Sequence, residues 1–324
     1  MSLMYELMRE SVDYAGLFPP ASLKLDEVVA NYDQYVNSAE SSMLGRLIIP
    51  ASRLSEFTQL RQSRLSGTSS PAQPWRISAL LPPIEKADAE EGFEKFESAI
   101  DLIRNFNTPN NLGKIANDIV DAIEVKTPDI SIMEATIDRL PADIHSFLEI
   151  PHTEDSRDLI DRIASDPSGK KLFAKIRTGG TTAELIPHPE EVARFIWNCE
   201  KREVAFKATA GLHHPMRDNY RLTYASDSKT ATLFGFLNVF YATMMSWEHA
   251  IGMKELTEIL SVNEPSQFGA NESEIFWGEL KVSVDRVKTL RNQSIISFGS
   301  CSFLEPTKEL QDIPGHNHES IFSA

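Results

Sequence analysis

Ala122-Ile123-Glu124-Val125-Lys126, Ser146-Phe147-Leu148-Glu149-Ile150, Phe173-Ala174-Lys175-Ile176-Arg177 and Ala205-Phe206-Lys207-Ala208-Thr209 decide how this chain is read. Each is a short apolar run, read as a strand, that ends in charge. Side chains alternate between the faces of a strand. Glu124 and Lys126 therefore share a face, as do Lys175 and Arg177, and Lys207 and Thr209. A strand buried in a parallel sheet should read as continuous apolar sequence. Charge at the carboxyl ends of successive strands is what an α/β enzyme presents, because ligands bind at that end.

Upstream of these segments, 44–49 and 76–81 also read as strands, stopped by Pro50 and by Pro82-Pro83. Helices are predicted near 5–11, 24–39, 53–64, 90–106, 130–139, 155–164 and 189–199. The last opens on Pro189, with Glu190 and Glu191 in its first turn. Ser66 to Pro74 reads as a Ser/Gly/Pro linker. Alternating strands and helices predict a parallel sheet wrapped in helices, joined by right-handed crossovers. Residues 215–293 read as mainly helical, and 295–298 as the last strand. That makes seven strands and one gap: either a strand is hidden in 215–293, or the barrel is incomplete. The expected fold is α/β, an irregular (β/α)8 TIM-barrel-like domain over 1–310 with a helical insertion after the sixth strand. Residues 311–324 form a polar tail.

Hydrophobic residues make up 41% of the 324 and charged residues 24%, ordinary values for a soluble globular chain. The net charge of −15 argues against nucleic acid as partner, since phosphate backbones need a basic surface. It leaves room for a small anionic metabolite in a local cationic pocket. The two cysteines, Cys199 and Cys301, offer neither a disulfide framework nor a zinc spacing, which fits a reducing cytoplasm. The N-terminus lacks the basic and apolar regions of a signal peptide. The run Leu233 to Met245 is too short to span a bilayer and is broken by Asn238, so no membrane partner is expected. The aromatic and methionine-rich stretch from Phe234 to Trp247 reads first as core packing, with a subunit interface or a lid as alternatives.

Chemistry is expected at the strand ends. Lys207, flanked by small residues and followed by Gly211, His213 and His214, has three readings. A desolvated lysine near Lys175 and Arg177 can attack a carbonyl as a Schiff-base nucleophile. It can instead polarise a carbonyl or move a proton, or form a structural ion pair with Glu124 or Glu149. The two glutamates are acid/base candidates, and Lys126, Lys175 and Arg177 an anion clamp. Adjacent His213 and His214 should point to opposite sides, so one is expected to face the site, as proton shuttle or loop hydrogen-bonder. With Glu124 and Glu149 a histidine could also ligate a metal, although converging cations oppose this. No metal or cofactor is included in the preferred reading. Gly179 and Gly180 follow Arg177 in a hydroxyl-rich turn that could cup an anion. Ser300 follows the last strand, where barrel enzymes often hold phosphate. Cys301 beside it reads as a nucleophile or a small buried thiol. The apolar loop Tyr14 to Ala21 reads as a plug for one end of the barrel, or else a pocket wall.

The segments Asp13 to Ala21 and Phe206 to Pro215 resemble the signatures of a bacterial protein family without characterised activity, with Ala174 to Gly180 and Ser297 to Phe303 in the same character. Phe206-Lys207-Ala208-Thr209-Ala210-Gly211 is also similar to the Schiff-base strand of deoxyribose-phosphate aldolase, a class I aldolase barrel. That local resemblance implies lyase chemistry, with Lys207 as the imine-forming lysine and Lys175 or Lys126 as its cationic neighbour. His213-His214-Pro215 departs from the aldolase pattern. The expected function is thus a lyase, aldolase-like or enolising, acting on a small anionic carbonyl or phosphorylated metabolite. A metal-dependent lyase or hydrolase and a non-catalytic metabolite-binding barrel are the alternatives.

Overall fold

Eight parallel strands close into a barrel in the computed structural model, which describes residues 3–65, 73–108, 117–152 and 155–313. In chain order the barrel strands are β1 (Val12–Tyr14), β2 (Leu44–Pro50), β3 (Arg76–Leu80), β4 (Ile119–Lys126), β5 (His145–Glu149), β6 (Leu172–Arg177), β7 (Phe206–Thr209) and β8 (Ile295–Ser300). Each pairs with its neighbours in sequence, and β1 closes the ring between β8 and β2. This is the (β/α)8 architecture that alternating strands and helices imply.

The strand missing from the sequence reading is therefore at the start of the chain. Val12-Asp13-Tyr14 pairs with Phe298, Gly299 and Ser300 on one side and with Leu44 and Leu47 on the other. The helix expected over 5–11 ends earlier, at Met8. Residues 215–293 contain helices Phe236–His249, Met253–Ser261 and Val284–Gln293, but also two small antiparallel sheets. One is the hairpin Asp218–Arg221 with Thr230–Leu233; the other joins Gly269–Ala270, Glu274–Trp277 and Leu280–Ser283. Neither contributes to the barrel, so the long segment is a mixed insertion between β7 and β8.

Helix Phe236–His249 is buried all round from Phe236 to Ser246, the pattern of a helix enclosed by other elements. Phe236 stacks on Phe298 of β8, with ring centroids 5.1 Å apart. Its aromatic run is thus core packing. Helix Pro189–Lys201 starts at its proline, and Glu191 accepts a hydrogen bond from the His188 backbone N–H at 2.6 Å. Helix Ile130–Arg139 is capped by Asp129, which accepts from the Ile132 N–H. Most of the expected 66–74 linker (residues 66–72) and of the expected tail (314–324) lies outside the described residues. Among the described residues no helix is long and apolar enough to cross a membrane.

Candidate active site

Charged side chains from five strands meet inside the carboxyl-terminal half of the barrel. Lys207 on β7 is wholly buried and donates to Asp13 Oδ2 on β1 at 2.5 Å and to Glu124 Oε1 on β4 at 2.6 Å. Glu124 Oε2 in turn lies 2.8 Å from the ammonium of Lys175 on β6. The same ammonium is 2.8 Å from Glu149 Oε2 on β5. Arg177, at the end of β6, stands 3.9 Å from Glu149 Oε1. Two serines complete the set: Ser78 Oγ donates to Glu124 Oε1, and Ser297 Oγ to Asp13 Oδ2, each at 2.7 Å. The result is one alternating path, Asp13–Lys207–Glu124–Lys175–Glu149–Arg177.

Register explains the convergence. Lys175 pairs with Lys207 and with Glu149 across neighbouring strands, which would place like charges side by side without intervening carboxylates. The Arg46 backbone N–H donates to Asp13 Oδ1 at 2.6 Å, and Gly45 makes that approach possible. A Cβ at Gly45 would sit 2.3 Å from Asp13 Oδ1. Burial alone would raise the pKa of Glu124, but attraction from Lys175 and Lys207 outweighs it and holds the carboxyl well below the usual range. For Lys175 burial acts downward, and Glu124 and Glu149 overcome it, so its pKa is raised. This is the expected outcome for buried charges that are fully paired.

A cavity of about 620 Å³ opens above this network at the strand carboxyl ends. Glu124, Lys175 and Glu149 form its floor, with Lys126 and Arg177 higher on the wall. Lys126 and Arg177 are half exposed; the Lys126 ammonium comes only within 3.9 Å of Glu85. Lys207 does not line the cavity: it lies beneath, covered by the groups it binds. The structure therefore brings Glu124, Glu149, Lys175, Arg177 and Lys126 to one mouth and puts Lys207 one layer deeper.

Both histidines line the cavity, where alternation along an extended segment predicts one. A left-handed turn at Ala210 and Gly211, with φ of 61° and 78°, ends the strand before them, so its alternation does not carry through to the histidines. Gly211 packs against Gly179 so closely that a Cβ on either would come within 3.0 Å of the other's Cα. Gly179 thus serves the approach of two loops, while Gly180 reaches the cavity wall. Ser300 is buried and donates from Oγ to the Ser302 carbonyl at 2.6 Å. His213 Nδ1 is 3.0 Å from that Ser300 Oγ, and Cys301 Sγ lies 3.8 and 3.9 Å from the two imidazole nitrogens. Burial, helped by His214, lowers the His213 pKa to about 4. Burial also pushes the Cys301 thiol up to about 11. A thiol so placed is a weak nucleophile.

His214 faces a different set. Its Nδ1 lies 2.8 Å from Glu309 Oε2, and its ring stacks on Tyr220 with centroids 3.6 Å apart. Tyr224 donates to Glu305 Oε2 at 2.9 Å. The hairpin carrying Tyr220 and the loop carrying Tyr224 form one wall of the cavity; Glu305 of helix Leu304–Gln311 holds Tyr224, and Glu309 holds the His214 ring on which Tyr220 stacks. Ala15, Phe18, Pro19 and Pro20 form another wall. The segment Tyr14 to Ala21 thus contributes a pocket wall at the strand carboxyl ends, the alternative to the plug. The acidic residues after β8 also make the Ser300 side of the cavity less favourable to an anion than the Arg177 side.

A metal set of Glu124, Glu149 and His214 is not assembled. The Lys175 ammonium sits between the two carboxylates, and His214 is engaged by Glu309. Among the described residues no group of three or more His, Cys, Asp or Glu side chains is arranged to hold a metal. Asp13, Ser78 and Ser297 are the partners that sequence reasoning missed. A signal for Asp13 existed: Lys207 needs a carboxylate partner, and an eight-strand count needs one more strand.

No family model, no curated protein and no solved structure matches the chain.

Proposed function

We propose that the protein is an enzyme of lyase or enolisation type acting on a small anionic carbonyl or phosphorylated metabolite. The observation that carries this reading is Lys175. Its ammonium lies on the floor of the cavity, 2.8 Å from each of two carboxylates, below two rim cations. A carbonyl oxygen placed over Lys175 gains a charged donor whose contribution grows as an enolate forms. Glu149 is the base: its Oε2 holds Lys175, while its Oε1 meets, among the described residues, only Arg177 at 3.9 Å and can take a proton. Glu124 accepts from Ser78, Lys207 and Lys175 together and acts as the clamp that orients the two lysines. Arg177 and Lys126 would hold the substrate's carboxylate or phosphate.

In this reading the substrate-facing role belongs to Lys175, and Lys207 sets the field beneath it. Resemblance to the aldolase strand supports lysine chemistry at this mouth. Buried free thiols at Cys199 and Cys301 fit a reducing, cytoplasmic setting. The test is exchange of α-protons in D₂O, followed by NMR across small 2-oxo acids and phosphorylated ketones and aldehydes. Wild type should exchange at least one; Glu149→Gln and Lys175→Met should lower that rate by about 10²-fold or more. Borohydride trapping with the same compounds shows whether an imine forms, and on which lysine. If the folded wild type exchanges none of them, and binds none in a thermal-shift screen, the reading fails.

A further inference from the structure

His213 is a second chemical station in the wall of the same cavity, against Ser300 at the end of β8, and its hydrogen bonds fix its tautomer. The Ser300 hydroxyl proton is committed to the Ser302 carbonyl at 2.6 Å, so Ser300 Oγ meets His213 Nδ1 as an acceptor. The backbone N–H of Ser302 approaches the same oxygen at 3.3 Å. Nδ1 must therefore carry the proton, and Nε2 carries the free lone pair. Glu305 Oε2, 3.8 Å from Nδ1, favours the same tautomer and would stabilise an imidazolium once formed. Cys301 Sγ lies 3.8 and 3.9 Å from the two nitrogens, a long contact shared between them and not a bond committed to Nε2. His213 is thus a buried neutral imidazole that lines the cavity, and among the described residues only the distant Cys301 thiol approaches its Nε2.

The lysine–glutamate floor supplies an electron sink at a carbonyl, and His213 supplies a second base away from it. We infer that the substrate is a β-hydroxy carbonyl compound bearing an anionic group, and that His213 Nε2 takes its hydroxyl proton in a retro-aldol cleavage. The inference rests on the reading of Lys175 and Glu149 given above. The O–H bond breaks and its proton goes to Nε2. The oxygen's electron pair forms the new C=O at Cβ as the Cα–Cβ bond breaks. The electron pair of that bond moves into the enolate held over Lys175. The imidazolium proton is returned through solvent to Cα, which leaves an aldehyde and a shortened carbonyl acid. No oxidant, reductant or co-reactant is needed.

The groups facing His213 are Ser300 and Cys301 at the end of β8, Glu305 of helix Leu304–Gln311 and the adjacent His214, with Tyr224 of the hairpin loop bonded to Glu305 and Cys301 behind them. Burial raises the Glu305 carboxyl above its ordinary value, but that carboxylate approaches the Nδ1 side of the ring and not Nε2. Because His213 titrates near 4, cleavage should keep its rate from neutral pH down to about pH 4 and then fall.

The experiment separates cleavage from enolisation. A series of 4-hydroxy-2-oxo acids is offered for cleavage, read as aldehyde release. The matching 2-oxo acids without the hydroxyl are offered for α-proton exchange in D₂O. His213→Asn keeps a donor towards Ser300 and lacks the Nε2 base. It should lose cleavage by about 10²-fold or more while exchange stays within about twofold. Ser300→Ala frees the tautomer and should lower cleavage by a smaller factor, again with exchange retained. Exchange by wild type with no cleavage of any hydroxy acid overturns the inference and leaves the enolising site standing. Undiminished cleavage by a folded His213→Asn variant also overturns it. Absence of both reactions removes the floor on which it rests.

Discussion

Strand β4 carries two carboxylates, Asp121 near its amino end and Glu124 towards its carboxyl end, and each is gripped by two cations. Asp121 stands at the irregularity where β3 and β4 shift register. Arg46 meets it with two parallel bonds of 2.7 and 3.0 Å, and Arg76 adds a third at 2.8 Å before reaching Glu10. Glu124 is held by Lys207 and Lys175. The charges balance in much the same way, yet the donors differ. A guanidinium binds in a rigid fork and keeps its proton in any protein setting, whereas an ammonium is compact and can transfer one. The arginine end faces the amino-terminal rim of the barrel, the end associated with stability. The lysine end opens into the cavity. Ion pairing by itself therefore says little about function here. The kind of cation and the access to space above it distinguish a fastening from a site.

The comparison breaks most visibly if Lys207 is replaced by Met. Asp13 and Glu124 would then keep only serine and backbone donors, or Lys175, in a fully buried setting. Leaving buried carboxylates without their cation costs about 3–5 kcal/mol. Urea denaturation should show that loss, and adding Asp13→Asn should recover part of it. Arg46→Met at the other end should cost roughly 1–2 kcal/mol, because Asp121 keeps Arg76 and is partly solvated. Turnover and ligand binding should be unchanged in that variant. A Lys207→Met protein as stable as wild type would mean the interior network is not holding the barrel.

Acid titration sharpens the same contrast. Both carboxylates have depressed pKa values, Glu124 through Lys175 and Lys207 against burial, and Asp121 through Arg46 and Arg76 against burial. A depressed folded pKa gives stability that is complete above the unfolded value and is lost as pH falls through the folded one. The unfolded values are near 4.5 for Glu124 and 3.8 for Asp121. Unfolding free energy should thus decline once pH drops below about 4.5, and Glu124→Gln should flatten the decline. Lys175 acts on the alkaline side. Its raised pKa gives stability that is present below 10.5 and lost as pH rises through the folded value. An acid decline of the same steepness in Glu124→Gln would show that other carboxylates dominate it.

The strands that carry Glu124, Glu149, Lys175 and Lys207 were legible because apolar residues surround each charge. β1 was not. Val12-Asp13-Tyr14 is three residues long with an acid at its centre, too short for periodicity to register. Its partner Lys207 lies 194 positions away, so no local rule sees the pairing that makes Asp13 acceptable inside a barrel. The segment was conspicuous as an apolar run ending in Pro19-Pro20, but composition could not tell a plug from a wall. The hairpin over 218–233 was hidden for the opposite reason. Its strands are mostly exposed, so they carry none of the apolar continuity that marked the barrel. The depth of Lys207 relative to Lys175 could not be read either. The two are register partners, and only the closed barrel decides which one reaches the space above.

The smallest stability effect is expected at Arg177, and there the contrast between fastening and site is most direct. Its side chain is 45% exposed and its closest approach to Glu149 is 3.9 Å, a loose pair. Exposed pairs of this kind contribute about 0–1 kcal/mol and are screened by salt. Arg177→Gln should therefore shift the unfolding free energy by less than about 0.5 kcal/mol. If Arg177 instead holds the anionic end of a substrate, the same change should raise KM roughly tenfold, which corresponds to about 1.4 kcal/mol. kcat should stay close to wild type, because binding lost equally from ground and transition states leaves the chemical step alone. Added salt should weaken wild-type binding more than that of the variant. Equal KM values for the two proteins, at low salt and on any anionic substrate found, would remove Arg177 from the site and leave it a solvated rim residue.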